Sequence, residues 1–469
     1  MSAADAGIPA AAARAPVREA AASGNSAGRV LLIAFHYPPC GISSGLQRTL
    51  CFSRDLCHYG WAPSVLTVHT RAYPAQRSDQ LAQVPPEVPV RRAFALDTTR
   101  HLGFRGRYLG WMALPDPWIT WLIGAIPAGL RMIRKHKSQV LWSTYPMATA
   151  HLVGLALHWL TGIPWVADFR DPMTEIDPIT HERFPVDPRL WNVRRWIEAQ
   201  TLKYSARAVF VTPGSLRLHQ ARYPRYAKGM TVIANGYDEA NFAEAEQLNR
   251  DSPAKPGPLL LLHSGVLYPG PDRDPTAFFD ALSKLRKEGK VSRGTLRVRL
   301  RASGYEDYYG ERLRQFGVDD MVSLEPAIPY QAALAEMLAA DGLLVFQGAT
   351  SNPAVPAKLY EYLRARRPIF ALVDSGGETA SVLRQAGVGA SVGSGVGSIV
   401  PLDRSDTIAE GLQQFLSQVR EGSAPLPDPQ EVERHSREHK ARELGSLLNQ
   451  VLHDVATNGN AVAATERNR

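Results

Sequence analysis

The chain has 469 residues, 45% of them hydrophobic and 21% charged, enough for two or three α/β domains with cores of their own. Its 53 Lys and Arg against 45 Asp and Glu leave a net charge of +8, which asks for an acidic partner such as a nucleotide or an anionic lipid. Cys40, Cys51 and Cys57 make no metal or disulfide pattern and suit a reducing, cytoplasmic setting.

Residues 1–28 are rich in Ala and Gly without an apolar stretch, so a disordered tail is expected rather than a signal peptide. The longest apolar run, 118–130, is too short to span a bilayer. A buried strand is predicted over 30–35, then a loop at 36–45 holding Gly41 and Gly45, then a helix over 46–59. Strands at 64–68, 140–143, 164–168, 208–211 and 231–234 alternate with helices, which predicts a doubly wound domain over 29–250. Residues 71–110 read as irregular and basic, and 174–186 as a polar loop.

The stretch D-S-P-A-K-P-G-P at 251–258 reads as a linker. A second alternation over 251–420 follows, with strands at 259–263, 296–300, 322–324, 342–346, 369–373 and 390–392. Residues 421–455 are expected to be a linker and closing helix, and 456–469 a tail. The fold class is therefore α/β, with two doubly wound Rossmann-like domains facing each other across a cleft.

Ligands of such sheets sit beyond the carboxyl ends of the strands, so the loops there are the candidate site. Gly41 and Gly45 let the backbone approach a ligand, or simply make a turn. Asp168, Arg170 and Asp171 follow a buried strand. They can hold a phosphate and stabilise developing charge, or form a structural ion pair. Gly265 allows close approach to a phosphate, and Arg273 is the cation of that loop or a solvated side chain. Lys358, in the first turn of a helix predicted over 356–366, favours a diphosphate together with the free N–H groups there. Glu361, on the same face, can accept from a ribose diol; the alternative is an exposed i,i+3 ion pair. The G-S-G-V-G-S run at 393–398 has the wrong spacing for a dinucleotide loop. No His/Cys/Asp cluster has metal spacing, and no nucleophile elbow or P-loop is present.

The glycine loop at 36–45, G-I-P-W-V-A-D-F-R-D-P at 162–172, V-I-A-N-G-Y-D at 232–238, H-S-G-V-L-Y at 263–268 and P-A-K-L-Y-E-Y-L at 356–363 together resemble a family 4 glycosyltransferase of the GT-B fold, over roughly residues 29–452. The D-F-R-D-P stretch is similar to that of polysaccharide-synthesis enzymes. The resemblance implies transfer, with retention, from a nucleotide-sugar donor to a saccharide or lipid-linked acceptor. It implies no metal, no cofactor and no nucleic-acid partner. On that reading Asp168, Arg170 and Asp171 are catalytic. Gly265, Arg273, Lys358, Leu359 and Glu361 bind the donor, and Gly41 and Gly45 face the acceptor. The chain departs from the family at Pro353, where the first glutamate of the paired motif would stand, at Arg170, where a histidine often does, and at Val266, where an arginine is usual. A catalytically weak nucleotide-sugar-binding scaffold and a nucleotide-sugar epimerase are the alternative functions.

Residues 29–137 carry fourteen Arg and Lys against five Asp and Glu. Phe104, Tyr108, Trp111, Trp118 and Trp121 stand near Arg105, Arg107, Arg131 and Arg134. Aromatics beside cations suit an anionic membrane surface, which predicts peripheral docking on the inner face of the cytoplasmic membrane. The alternative is that the aromatics are core and the cations solvated.

Overall fold

The computed structural model describes residues 27–41, 45–77, 80–103, 107–177, 181–250, 257–389 and 397–467. The expected N-terminal tail up to residue 26, Phe104, Arg105, most of the linker at 251–258 and the strand expected at 390–392 lie outside the described residues.

Nine strands fall in the first half: β1 (Gly28–Ala34), β2 (Trp61–Val68), β3 (Val90–Ala93), β4 (Val140–Thr144), β5 (Trp165–Phe169), β6 (Glu175–Ile176), β7 (Arg183–Phe184), β8 (Arg207–Phe210) and β9 (Met230–Val232). Six follow: β10 (Leu259–Ser264), β11 (Leu296–Arg301), β12 (Val322–Glu325), β13 (Gly342–Gln347), β14 (Ile369–Val373) and β15 (Ile399–Val400). They build a seven-stranded sheet in the order β3-β2-β1-β4-β5-β8-β9 and a six-stranded sheet in the order β12-β11-β10-β13-β14-β15. Every pairing within these two sheets is parallel, Val30 standing opposite Val140 and Leu261 opposite Gly342. Parallel strands need helical crossovers on both faces, so the central ones are mostly apolar; β4, β5, β13 and β14 are buried along their whole length, including Ser143, Thr144, Asp168 and Gln347.

The sequence reading missed β3 and the β6–β7 hairpin. β3 is a four-residue edge strand, V-R-R-A, only partly buried, so it lacks the apolar run that marks its neighbours. β6 and β7 pair only with each other and carry no core residue, so they read as loop.

The chain crosses between the domains twice, side by side. Tyr237 N–H donates to the His435 carbonyl (3.1 Å) and Arg437 N–H to the Tyr237 carbonyl (2.8 Å). The helix Glu239–Arg250 packs Phe242 and Ala245 into the core of the second domain, so the crossing precedes the boundary expected at 250. The last helix, Arg437–Arg467, returns Ala441, Leu444, Leu448 and Val451 to the core of the first domain and continues past Val455, where a tail was expected.

Candidate functional site

In both sheets the strand order reverses in the middle, between β1 and β4 and between β10 and β13. The loops leaving these strands flank the crevice where doubly wound sheets take ligands.

On the first domain, the helix Leu46–Asp55 turns Arg48 inward. Its Nε and Nη2 donate to the two carboxylate oxygens of Asp168 at 3.0 and 2.8 Å. Nη1 and Nη2 also donate to the carbonyls of Ala234 and Ile233, each at 2.9 Å. Asp168 is fully buried and accepts a third bond from Thr144 Oγ1 at 2.8 Å. Asp168, expected as a catalytic residue, lies off the cavity lining, its carboxylate tying β5 to the first helix and to the crossing segment. The sequence reading missed Arg48, because it sits in a helix read as mainly apolar and its partner lies 120 residues away.

Arg170, just beyond β5, does enter the cleft. A Cβ on Gly45 would stand 2.0 Å from its Nη1, so only glycine leaves room for the guanidinium there. Its Nε is buried without a hydrogen-bond partner, and burial lowers its pKa against the opposing pull of Asp171 and Asp168. His36, also buried, has its pKa pulled down to about 4 by burial and by Arg170. Asp171 is exposed and lies off the cavity lining. Gly41 N–H donates to the Ala75 carbonyl at 3.0 Å, and a Cβ there would meet Arg77 Cγ at 3.0 Å.

On the second domain, β10 delivers His263 and Gly265. His263 is buried, with Nδ1 2.9 Å from the Leu344 carbonyl. A carbonyl only accepts, so Nδ1 carries the proton and Nε2 accepts from Lys358 Nζ at 3.1 Å. Gly265 has φ +121°, and a Cβ there would stand 2.6 Å from Lys358 Nζ. Burial, aided by Arg273, lowers the Lys358 pKa to about 7, while Glu361 opposes the shift. Arg273 lies 5.5 Å from the Tyr268 ring centre, with Nε 3.2 Å from Asp272. Gly265 and Lys358 are thus brought together, with Arg273 within electrostatic reach of Lys358. The exposed i,i+3 ion pair does not form: Lys358 bonds His263, and Glu361 Oε1 accepts from Tyr330 Oη at 2.6 Å. Burial raises the Glu361 pKa, partly offset by Tyr330, Arg437 and Lys358.

Two expectations for this helix are corrected. It runs Lys358–Ala365, and the N–H groups of Leu359 and Tyr360 already donate to Pro356 and Ala357. Leu359 is fully buried in the core, so neither its side chain nor its amide is open to a ligand.

Between the two faces lies a cavity of about 340 Å³. Gly41, Gly45 and Arg170 line it from the first domain, Tyr330, Ala357 and Glu361 from the second, and Arg437 from the crossing. Arg437, also missed, donates from Nε to the Gly236 carbonyl and from Nη1 to Gln47 Oε1, each at 2.9 Å. Only the paired crossings bring residue 437 to residue 236. Pro353 has a structural use: its carbonyl accepts from Thr212 Oγ1 of the first domain at 2.6 Å, and a Cβ on Gly214 would stand 2.7 Å from its Cα. Among the described residues, no three His, Cys, Asp or Glu side chains are grouped as a metal site requires.

No family model matches the chain, and no curated protein matches it in sequence. Solved structures do match its fold. A sucrose-phosphate synthase from Thermosynechococcus elongatus superposes with a TM-score of 0.60 at 14% identity, covering 91% of this chain and 100% of that one. A glycosyltransferase from Rickettsia africae gives 0.58 at 10% identity, covering 91% and 99%. HepE of Anabaena, in complex with UDP-glucose, gives 0.51 at 13% identity, covering 92% and 99%. Two Rossmann-like domains across a cleft, the GT-B architecture, is the fold of this chain.

Proposed function

We propose that this chain is a retaining glycosyltransferase that moves a sugar from a nucleoside diphosphate sugar to a saccharide or lipid-linked acceptor in polysaccharide synthesis. The observation that carries this reading is the meeting of Gly265 and Lys358 at the β10–β13 switch point, with Arg273 within electrostatic reach and Glu361 one turn on. The likeness to HepE, whose structure holds UDP-glucose, supports the donor class. In this reading the diphosphate lies against Gly265, between Lys358 and Arg273, and Glu361 accepts from the ribose. As the bond from the anomeric carbon to the diphosphate oxygen breaks, the two cations stabilise the charge on the leaving group. The acceptor hydroxyl bonds the anomeric carbon on the same face and passes its proton to the departing phosphate. No separate base and no metal is required.

A thermal-shift screen of nucleoside diphosphates tests this, because a ligand of the folded state raises Tm by mass action. One of them is expected to stabilise the wild type and to lose that effect in both Lys358→Met and Glu361→Gln. Stabilisation by none, or unchanged in both variants, removes the assignment. Activity is expected to survive EDTA; loss restored by a divalent ion would overturn the metal-free step.

A second reading, a catalytically weak nucleotide-sugar-binding scaffold, draws on Pro353, whose contacts with Thr212 and Gly214 occupy the place of a family carboxylate. Donor binding without turnover would decide for it. We also propose that the first domain docks on an anionic membrane surface. Tyr108, Leu109, Trp111, Phe94 and Ile123 are exposed on this domain, and so are Arg107, Arg131, Arg134 and Lys135.

A further inference from the structure

The cavity between the domains is lined by five cations, Arg48, Arg77, Arg170, Arg437 and Lys440, and by one carboxylate, Glu361. Two of the cations are neutralised within the chain. Arg48 has both carboxylate oxygens of Asp168, and Lys440 Nζ donates to Glu443 at 2.8 Å. The other three form no ion pair among the described residues. Arg437 donates to a neutral carbonyl, a neutral amide and the Cys51 sulfur, and feels the Asp238 and Glu361 charges without a direct ion pair to either. Arg170 keeps a buried Nε without a partner, and the pull of Asp171 and Asp168 only partly offsets its burial and the charges of Arg48 and Arg437. Arg77 is exposed at the rim, its stem beside Gly41.

Five cations against one lining carboxylate leave the partly closed cleft with an excess of positive charge, which desolvation and mutual repulsion make unfavourable. A neutral saccharide would relieve neither. An anion with several oxygens would relieve both, because guanidinium binds phosphate and carboxylate with paired, charge-assisted hydrogen bonds. The cavity shares Glu361, given above to the donor ribose, but Gly265, Arg273 and Lys358, given to the leaving diphosphate, lie off its lining, and Arg77 and Arg170 belong to the first domain. The volume, about 340 Å³, suits a ligand of sugar-phosphate size.

We propose that the acceptor carries an anionic oxygen group, a phosphate or diphosphate next to its sugar, held in this cavity by Arg77, Arg170 and Arg437. The proposal rests on the glycosyltransferase reading and names the acceptor class of that same cleft. The group comes either from a soluble sugar phosphate or from the headgroup of a lipid-linked sugar.

The test is calorimetric titration of the full chain, held with a saturating nucleoside diphosphate that stabilises it. The probes are glucose 6-phosphate, uncharged glucose, and a short-chain lipid diphosphate sugar. At least one phosphorylated probe is expected to bind about tenfold or more tighter than glucose, and to lose about tenfold or more in Arg170→Met combined with Arg77→Gln. Which phosphorylated probe binds tighter assigns the source. Methionine keeps most of the Arg170 stem, and an unchanged affinity for the nucleoside diphosphate shows that the variant is folded. Equal binding of charged and uncharged probes overturns the proposal. So does binding that survives the double replacement but is lost in Lys358→Met, which would place the anion at the donor site. A nucleoside diphosphate uronate sugar that requires Arg170, with no phosphorylated probe bound, also overturns it, because the anion would then belong to the donor. If no nucleoside diphosphate binds at all, the glycosyltransferase reading falls and the acceptor assignment falls with it.

Discussion

Lys358 is set by its surroundings to respond near neutral pH. His263 accepts its proton-bearing Nζ from one side, Arg273 repels it, and Glu361 is the carboxylate that acts on it. With its pKa lowered to about 7, the amine is largely neutral above that pH. A bound diphosphate favours the charged form, so binding takes up a proton and raises the lysine pKa. The sign follows: the lysine-dependent part of the affinity is level below pH 7 and falls by up to about tenfold for each pH unit above it. The diphosphate's own ionisation is common to wild type and Lys358→Met, so the ratio of their affinities isolates the lysine. Titration calorimetry between about pH 6 and 9, in buffers of different ionisation enthalpy, is expected to show more proton uptake in the wild type than in Lys358→Met. A ratio independent of pH would mean that Lys358 is charged throughout or does not touch the ligand.

The element that organises the first domain's side of the cleft is the end of β5. Asp168 joins it to the first helix through Arg48, to β4 through Thr144, and through Arg48 to the carbonyls of Ile233 and Ala234. Breaking a buried pair by removing one partner leaves a charge without compensation and costs about 3–5 kcal/mol, more than the pair's net worth. Arg48→Met and Asp168→Asn are therefore each expected to destabilise the first domain by about that amount, the first leaving a buried carboxylate and the second a buried guanidinium without its counter-charge. Urea unfolding followed by tryptophan fluorescence measures this, with Trp142 and Trp165 buried in the same sheet. A stability unchanged in Arg48→Met would show that the pair is not formed in solution. A neighbouring constraint is the contact of Gly45 with Arg170: alanine there is expected to displace the guanidinium and weaken phosphate binding without unfolding the domain.

At the scale of the whole molecule, charge and exposed apolar surface are unevenly spread. Trp121 is fully buried, and Trp118 donates from Nε1 to the Ala72 carbonyl at 3.1 Å with its ring 4.7 Å from Phe35, so these two serve the core rather than an interface. Trp111 and Ile123 are 68% and 72% exposed, and with Tyr108 and Leu109 they form the apolar part of the proposed docking face. The helix Trp121–His136 buries Trp121, Ala125, Ala128, Met132 and Ile133, leaves Ile123 outside, and ends in Arg134, Lys135 and His136. Each basic side chain near an anionic surface contributes about 1 kcal/mol. Sedimentation with vesicles is expected to carry the protein down with anionic lipid at low salt and not with neutral lipid. Replacing Trp111, Arg131 and Arg134 together should release most of the bound fraction. No helix among the described residues is long and apolar enough to cross a membrane. Binding that ignores lipid charge, or the triple replacement, would return this face to ordinary solvent exposure.

Two doubly wound domains and the loops that flank the cleft were legible in the sequence because they rest on local signals. Central parallel strands need unbroken apolar runs, and the loops at their carboxyl ends carry glycine and charge at fixed offsets. Lys358 and Glu361 were legible for the same reason, three residues apart on one helix. The partners of these residues were not legible, because they depend on contacts between distant segments. Asp168 meets Arg48, 120 residues before it, which takes both its oxygens. Tyr330 reaches Glu361 only once β13 and its flanking helices are packed, and Arg437 enters the cleft only because two crossings pair at Tyr237 and Ser436. Sequence alone determined which residues could carry charge into the cleft. Tertiary structure decided which of those charges are already satisfied and which remain for a ligand, since that depends on burial and on partners that periodicity along the chain does not encode.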